Sequence, residues 1–523
     1  MTRRAGWVVA FDAGAGRTGP LTVGQINQLR FHEENPEENL SKFWRLRPSL
    51  TFAEISALMR TLIERHEALR TTIRTDLEPV AQEVRGSGEL HVALHDCTSG
   101  EPWTLRDEVA AAMSAAPFRY PGELPVRAAI VTEDGKPVWM VLVVCHTATD
   151  RQGLDVLTSE IRTLAEGREL PPPALHPIDL AVEEQAASRR DSSAARHWRS
   201  ILTRAPQAMF AVPAPADPPE GDLCERVRFR APTELVDAVS RRVGADRSAV
   251  LLTAYTALIG HATSQPHCVV TLLSGNRFTP RLRTYPGTLV QDALMLADLR
   301  AATFDSLLPR VRTASFKAYR QARFDARAVW DVIDEINHTR GMSFSRDCVY
   351  DNITGTDAGE PSAVLEVTDL PPSRKPGIMT LTVLGWLDLV LTTDPRHLPS
   401  GYGRVFGDAL LALLTAAARA DVPLSGLTET TGLIPFARSS DDWVHLDSCW
   451  VSLPAVRSLV GDAVDHHDFT LTRDLACHLP SGDPAAAHAA CVTALPGRLA
   501  VLTPRTYTSP SHPPIALERP PDL

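Results

Sequence analysis

The residues best suited to chemistry stand together in VVCHTATDRQG, Val143–Gly153. An apolar, largely β-branched run ends at Cys145. His146 follows it, and Asp150 comes four residues later, just ahead of a helical pattern that begins near Gly153. Loops at the carboxyl ends of strands are where open α/β folds place their sites. A histidine there can accept a proton from an attacking amine or hydroxyl, or stabilise a charged tetrahedral intermediate. Asp150 can orient the loop or pair with a cation that locks the turn. Taken alone, the HxxxD spacing favours a plainer reading, a packed histidine and an aspartate capping the next helix. A nucleophilic Cys145 would need an Asp or Asn motif to support a Cys–His pair. None is found, so this thiol reads as a small hydrophobe at a strand end.

The elements that must hold this loop can be read on either side of it. Val138–Val144 is nearly all apolar, the mark of a strand buried on both faces. Gly153–Leu164 reads as a helix. Thr51–Glu64 carries Phe52, Ile55, Leu58, Met59 and Leu62 at spacings of three and four, which predicts an amphipathic helix. Thr22 is placed as an N-cap for a helix over Gly24–Phe31. Phe43–Leu46, Ala68–Ile73 and Val269–Leu273 read as strands. Ala181–Leu202, Ser248–Ala262 and Phe406–Arg419 read as helices. Proline clusters mark a linker at Pro171–Pro177 and a loop at Pro215–Asp222. From Thr431 the texture changes to short strands (Trp443–Leu446, Trp450–Leu453) and short helices (Ala455–Gly461, Ala485–Ala494), with an irregular Pro/Ser-rich stretch expected after Pro504. Strands and helices are mixed in both halves, which predicts an α/β or α+β fold with at least two lobes.

Composition narrows the function classes. The 523 residues are 44% hydrophobic and 22% charged, with a net charge of −10, as expected of a multi-domain globular chain. No basic run provides the electrostatic footprint of a nucleic-acid binder. The eight cysteines are scattered without a CxxC pair, which suits reduced thiols better than a disulfide framework or a metal site. The apolar run Ala5–Phe11 is broken by Asp12 and is too short for a signal peptide or a membrane span, so a cytoplasmic protein is expected. Gly14, Gly16 and Gly19 satisfy GxGxxG. Pro20 follows at once and no clear βα unit leads to an acidic residue, so a loop is expected there. His466 and His467 lack further ligands at suitable spacing and read as loop histidines. Glu183–Glu184 and Asp441–Asp442 read as solvated charge pairs, and Trp198 as a core anchor.

Other segments weigh on the side of catalysis. LTVGQINQLRF (Leu21–Phe31), RHEALRTTI (Arg65–Ile73), PFRYPGELPVRAAIV (Pro117–Val131), HWRSIL (His197–Leu202), SGNRF (Ser274–Phe278), YPGTLVQDAL (Tyr285–Leu294) and CVYDNITG (Cys348–Gly355) occur in an order and spacing that resembles the condensation domains of nonribosomal peptide synthetases, over about residues 15 to 425. The resemblance implies two chloramphenicol acetyltransferase-like lobes in a V-shaped pseudo-dimer with a tunnel between them. The lobes would span residues 1–178 and 179–430, with a small α+β unit over 431–523. It also implies transfer of an acyl, aminoacyl or peptidyl group from a carrier-protein thioester to an amine or a hydroxyl. The family signature reads HHxxxDG. His146 falls on its catalytic position and Asp150 on a mainly structural one. Arg277 in SGNR, in the second lobe, is the candidate partner of Asp150, and Tyr350, Asp351 and Asn352 are candidates to line the tunnel. No bound cofactor or metal is expected; the donor would arrive on the phosphopantetheine arm of a carrier protein in trans.

The departures from the signature are Cys145 for the first histidine and Arg151 for the glycine after the aspartate. Glycine at that place permits a positive φ that arginine adopts only at a cost. Arg151 also brings a cation near His146, or else faces a phosphopantetheine phosphate or an acidic substrate group. Gly153 completes the set of candidate site-lining residues. Residues 431–523 are faintly similar in layout to the C-terminal subdomain of adenylate-forming enzymes but contain no lysine, and read as a remnant or docking cap. With no complete adenylation domain or carrier serine motif identified, the resemblance points to a free-standing condensation enzyme, expected to be a monomer. The alternatives are a catalytically degenerate scaffold of the same fold, or an acyltransferase using coenzyme A.

Overall fold

The computed structural model describes residues 2–34, 39–186, 191–353, 364–373, 377–464 and 468–517. His466 and His467 lie outside this set, as do the last two residues of CVYDNITG. The chain divides into two compact units. Unit 1 comprises residues 1–191, 275–291 and 323–327, and unit 2 comprises residues 192–274, 292–322 and 328–523.

Unit 1 is built on a five-stranded sheet in the order β1 (Thr2–Asp12), β6 (Ser87–Cys97), β7 (Val126–Glu133), β8 (Lys136–Val144), β3 (Leu40–Arg45). Strand β8 pairs antiparallel with β7 on one side and β3 on the other. That internal position explains its unbroken apolar run, since both faces must be covered. One face packs on helices α2 (Phe52–Arg65) and α4 (Arg151–Ala165), through Ile55, Met59, Leu62, Leu154, Leu157 and Ile161. The other packs on α3 (Pro102–Ala115), through Leu105, Val109 and Ala110. Helix α2 starts where its sequence dictates. Thr51 caps the Glu54 amide, and the Glu54 carboxylate accepts in return from the Thr51 N–H at 2.8 Å, a full capping box. Helix α1 (Val23–Glu34) is closed in the same reciprocal way by Thr22 and Gln25.

The GxGxxG stretch does not open a helix. Gly14 lies in a turn at φ +85°, and the chain continues into β2 (Arg17–Pro20) of a small sheet with β5 (Ala81–Val84) and β4 (Thr71–Arg74). Glu184, expected to be solvated, is instead drawn inward in α5 (Pro177–Ala186). Its carboxylate accepts from the Val23 N–H at 2.8 Å and pairs with Arg323 at 2.8 Å. Charge complementarity inside a packed unit overrides the intrinsic preference of a glutamate for water.

Unit 2 contains a seven-stranded sheet in the order β11 (Gln291–Asp298), β10 (His267–Ser274), β12 (Cys348–Asn352), β14 (Met379–Gly385), β15 (Asp388–Thr393), β9 (Cys224–Arg230), β13 (Glu366–Ser373). Strands β10, β12 and β14 run parallel, while β14, β15, β9 and β13 are antiparallel. The helix Arg247–Thr263 is buried almost throughout and packs Tyr255 against Tyr350 and Phe406. The described residues after 431 belong to the same unit. Arg340, 2% exposed, joins them to the rest of it: its guanidinium donates to the carbonyls of Leu202 and Ala205, both at 2.6 Å, and to that of Asp447.

The stretch after Pro504 is not irregular. It forms the strands Thr506–Ser509 and His512–Ala516, the first pairing with Ala476–His478, and Tyr507 is fully buried there. A buried tyrosine on a paired strand outweighs the local turn preference of the flanking prolines and serines. No helix among the described residues is long and apolar enough to cross a membrane.

Candidate active site

At the end of β8 the chain reverses tightly. The Cys145 N–H donates to the Pro125 carbonyl at 2.9 Å, and the Cys145 carbonyl accepts from Ala148 and Thr149 at 3.0 and 3.3 Å. His146 sits within this turn, half-buried, between the buried Cys145 and Thr147. Burial pushes the Cys145 thiol above its ordinary range, outweighing its hydrogen bonding with Thr147 and Tyr120. A neutral, enclosed thiol is a packing group and not a nucleophile.

Asp150 does two jobs. It caps α4, Oδ1 accepting from the Gly153 N–H at 2.8 Å. It also anchors a segment from far along the chain, with Oδ2 accepting from the Leu289 and Val290 N–H groups at 2.7 and 3.1 Å. Arg277 closes the cluster as a two-pronged partner, Nη1 to Oδ2 and Nη2 to Oδ1, each at 2.8 Å. The two side chains are 7% and 3% exposed. The Arg277 Nη groups donate as well to the carbonyls of Gly275, Tyr285 and Gly287. Forked geometry and full use of the carboxylate lone pairs are what make a buried ion pair tolerable. Although Arg277 lies 127 residues beyond Asp150, its segment belongs to unit 1, so the pair is internal to that unit.

Gly153 is required for this approach. A Cβ there would stand 2.1 Å from the Pro286 carbonyl oxygen and 2.4 Å from Thr149 Oγ1. Thr149 itself donates to the Pro286 carbonyl at 2.7 Å. Arg151 begins α4 with its side chain exposed. It is not among the residues with positive φ, so the backbone cost expected for arginine at this place is not incurred.

The RHEALRT segment acts from a distance. Arg65 donates to both Glu160 oxygens at 3.0 and 3.2 Å, and His66 Nε2 contacts the same carboxylate. Burial works to raise the Glu160 carboxyl, but the hydrogen bonds from His66 and Arg65 outweigh it and hold it below the usual range. The end of α2 is thereby stapled to α4, the helix that Asp150 caps. Glu67 receives Arg17 at 2.7 Å and, through its carbonyl, the Thr71 hydroxyl at 2.6 Å.

The structure thus brings together His146, Cys145, Asp150, Arg151, Gly153 and Arg277 in unit 1. Tyr350, Asp351 and Asn352 belong to unit 2. Tyr350 is fully buried against Tyr255, a core residue. Asp351 and Asn352 are half-buried, Asn352 donating to Ser248 Oγ at 3.0 Å. Sequence reasoning passed over Tyr120, Thr147, Thr149 and Glu160. The threonines lay inside the loop motif itself, while no local signal joined Tyr120 or Glu160 to it. Among the described residues no group of three or more His, Cys, Asp or Glu is placed to hold a metal ion.

Comparison with known proteins bears on this geometry. The model of the condensation domain family matches residues 24–370. Surfactin synthase subunit 2 of Bacillus subtilis is 22% identical over 337 residues, which cover 62% of this chain and 9% of that protein. Bacitracin synthase 3 of Bacillus licheniformis is 24% identical over 312 residues, covering 57% of this chain and 5% of that protein. The chain spans less than a tenth of the length of the first curated relatives it matches. Among solved structures, the first condensation domain of the calcium-dependent antibiotic synthetase aligns with a TM-score of 0.61 at 17% identity, covering 78% of this chain and 98% of that one. The X-domain from teicoplanin biosynthesis aligns at 0.62 and 20% identity, covering 78% and 96%. These structural likenesses establish the chloramphenicol acetyltransferase-like α/β fold.

Proposed function

The chain belongs to the condensation-domain family, and on that premise we propose that it transfers an acyl, aminoacyl or peptidyl group from a carrier-protein thioester to an amine or hydroxyl acceptor. Members of this family serve nonribosomal peptide and polyketide assembly with carrier-bound substrates. Here the carrier acts in trans, in the cytoplasm, and presents the donor on its phosphopantetheine arm. The acceptor nitrogen or oxygen attacks the thioester carbonyl. His146 takes the proton it loses, and as the C–S bond breaks the departing sulfur takes a proton back. Asp150 and Arg277 touch neither reactant; they hold the turn that presents the imidazole.

The observation that carries this reading is the position of His146, in a turn just past a buried strand and fastened through Asp150 to Arg277. A rigid mount is what a general base needs, since a small misplacement costs a large factor in rate. The test is His146→Ala with a loaded carrier and a panel of amines and alcohols. We expect turnover to fall by about 10²–10⁴-fold with carrier binding retained. Turnover equal to that of the wild type would refute the assignment.

A second reading, a binding scaffold without turnover, draws on Cys145 in place of the first signature histidine. It also draws on the likeness to the X-domain, which has been solved in complex with OxyB. Carrier binding with no product from any acceptor, indifferent to His146 replacement, would favour it. Acyl-coenzyme A tested beside acyl-carrier separates the remaining alternative, a coenzyme A-dependent transferase.

A further inference from the structure

Three groups that the proposed chemistry leaves unused close on one another around His146. The Tyr120 hydroxyl lies 2.7 Å from Cys145 Sγ and 2.6 Å from Thr147 Oγ1, and the latter two atoms are 3.3 Å apart. Each group carries one hydrogen and can accept another. A ring of three is therefore satisfied in a cyclic sense, each member donating once and accepting once. Cys145 and Thr147 are buried, and they are the immediate neighbours of His146 on either side. The ring ties both ends of a one-residue span to a third point that lies on neither β8 nor α4. Asp150 and Arg277 secure the far side of the same loop.

The geometry points to Tyr120 as a positioning residue for His146, with Cys145 and Thr147 as its two points of attachment. On this inference, which rests on the function proposed above, Cys145 is a working substitute for the missing signature histidine. Its thiol pairs with the tyrosine hydroxyl and helps hold the backbone. Burial raises both the thiol and the phenol, so the ring stays uncharged through the neutral range.

The test combines kinetics with amide hydrogen exchange in the full chain. Tyr120→Phe and Cys145→Ala should each lower kcat about tenfold while KM for the loaded carrier stays within about twofold, the split expected when orientation rather than binding is lost. The double variant should be no worse than about the weaker single, because both remove the same ring. Cys145→Ser, which keeps a donor and an acceptor, should recover most of kcat. Independently of turnover, Tyr120→Phe should speed exchange at Ala148 and Thr149, whose N–H groups bond to the Cys145 carbonyl, and leave Val141–Val144 unchanged.

Multiplicative kinetic losses, unchanged exchange at Ala148 and Thr149, or faster exchange spread evenly along β8 would each overturn the inference. The two readings fail separately. Normal exchange in a protein that still needs His146 removes the role of Tyr120 alone. Altered exchange in a protein whose His146→Ala variant turns over normally removes the catalytic reading, and the positioning role with it.

Discussion

Two buried aspartates, one in each unit, receive opposite treatment. Asp150 is 2% exposed and meets a two-pronged guanidinium and three backbone N–H groups. Asp347 is 1% exposed, just ahead of β12. Its Oδ2 accepts from the Phe210 N–H at 2.6 Å, while Oδ1 has no hydrogen-bond partner among the described residues. Burial pushes the Asp347 carboxyl up to about 7, against the pull of backbone N–H groups from Phe210, Met209 and its own neighbourhood. Backbone dipoles soften the desolvation of a carboxylate without cancelling it, whereas a forked cation adds the missing Coulomb energy and fixes a direction as well. The loop that carries His146 has the costly and rigid arrangement; the start of β12 has the incomplete one.

The largest expected effect comes from making Asp150 resemble Asp347. Arg277→Met keeps the bulk and removes the charge, leaving a buried carboxylate with backbone partners only. We expect a loss of roughly 3–5 kcal/mol in urea unfolding, with turnover largely abolished. If stability is unchanged, the pair is ornamental and the contrast with Asp347 collapses.

Next in size is the reverse operation, removal of the uncompensated charge by Asp347→Asn. Unfolded chains release this proton near the ordinary aspartate value, while the folded protein holds it to about pH 7. Between those values the native state binds the extra proton, so wild-type stability should fall as pH rises from about 4 to about 7. Asp347→Asn should remove that slope and gain roughly 2–4 kcal/mol at pH 8, with little change at pH 4. Chemical denaturation at the two pH values measures it, and an equal effect at both would show that the burial cost lies elsewhere.

The smallest effect sharpens the contrast from a third carboxylate. Glu160 has the Arg65 guanidinium and the His66 ring as hydrogen-bond partners, and sits below its usual range. Its stabilisation is present above the unfolded carboxyl value and is lost as pH falls through the lower folded one. Glu160→Gln should cost about 1–2 kcal/mol at pH 7 and less below pH 4, read from urea unfolding at the two pH values. It should also loosen α4 enough to lower kcat modestly.

What the sequence determined by itself is local. The β-branched run over Val138–Val144, the three-and-four spacing after Thr51 and the helix after Asp150 each became the expected element, because backbone propensity and burial face are written in neighbouring residues. The order of segments identified the family, and HxxxD located the loop. The segment SGNR carried Arg277 as a candidate only through that resemblance. Tertiary structure alone decided who meets whom. It set Arg277 in a fork on Asp150, brought Tyr120 to Cys145 and Thr147, and drew Glu184 inward. It also made strands of the Pro/Ser-rich tail and left Asp347 buried with no cationic partner among the described residues. Spacing along a chain encodes which face of an element is apolar. The partner of a buried polar group is chosen by close packing between residues that lie far apart in the chain, and no local pattern records that choice.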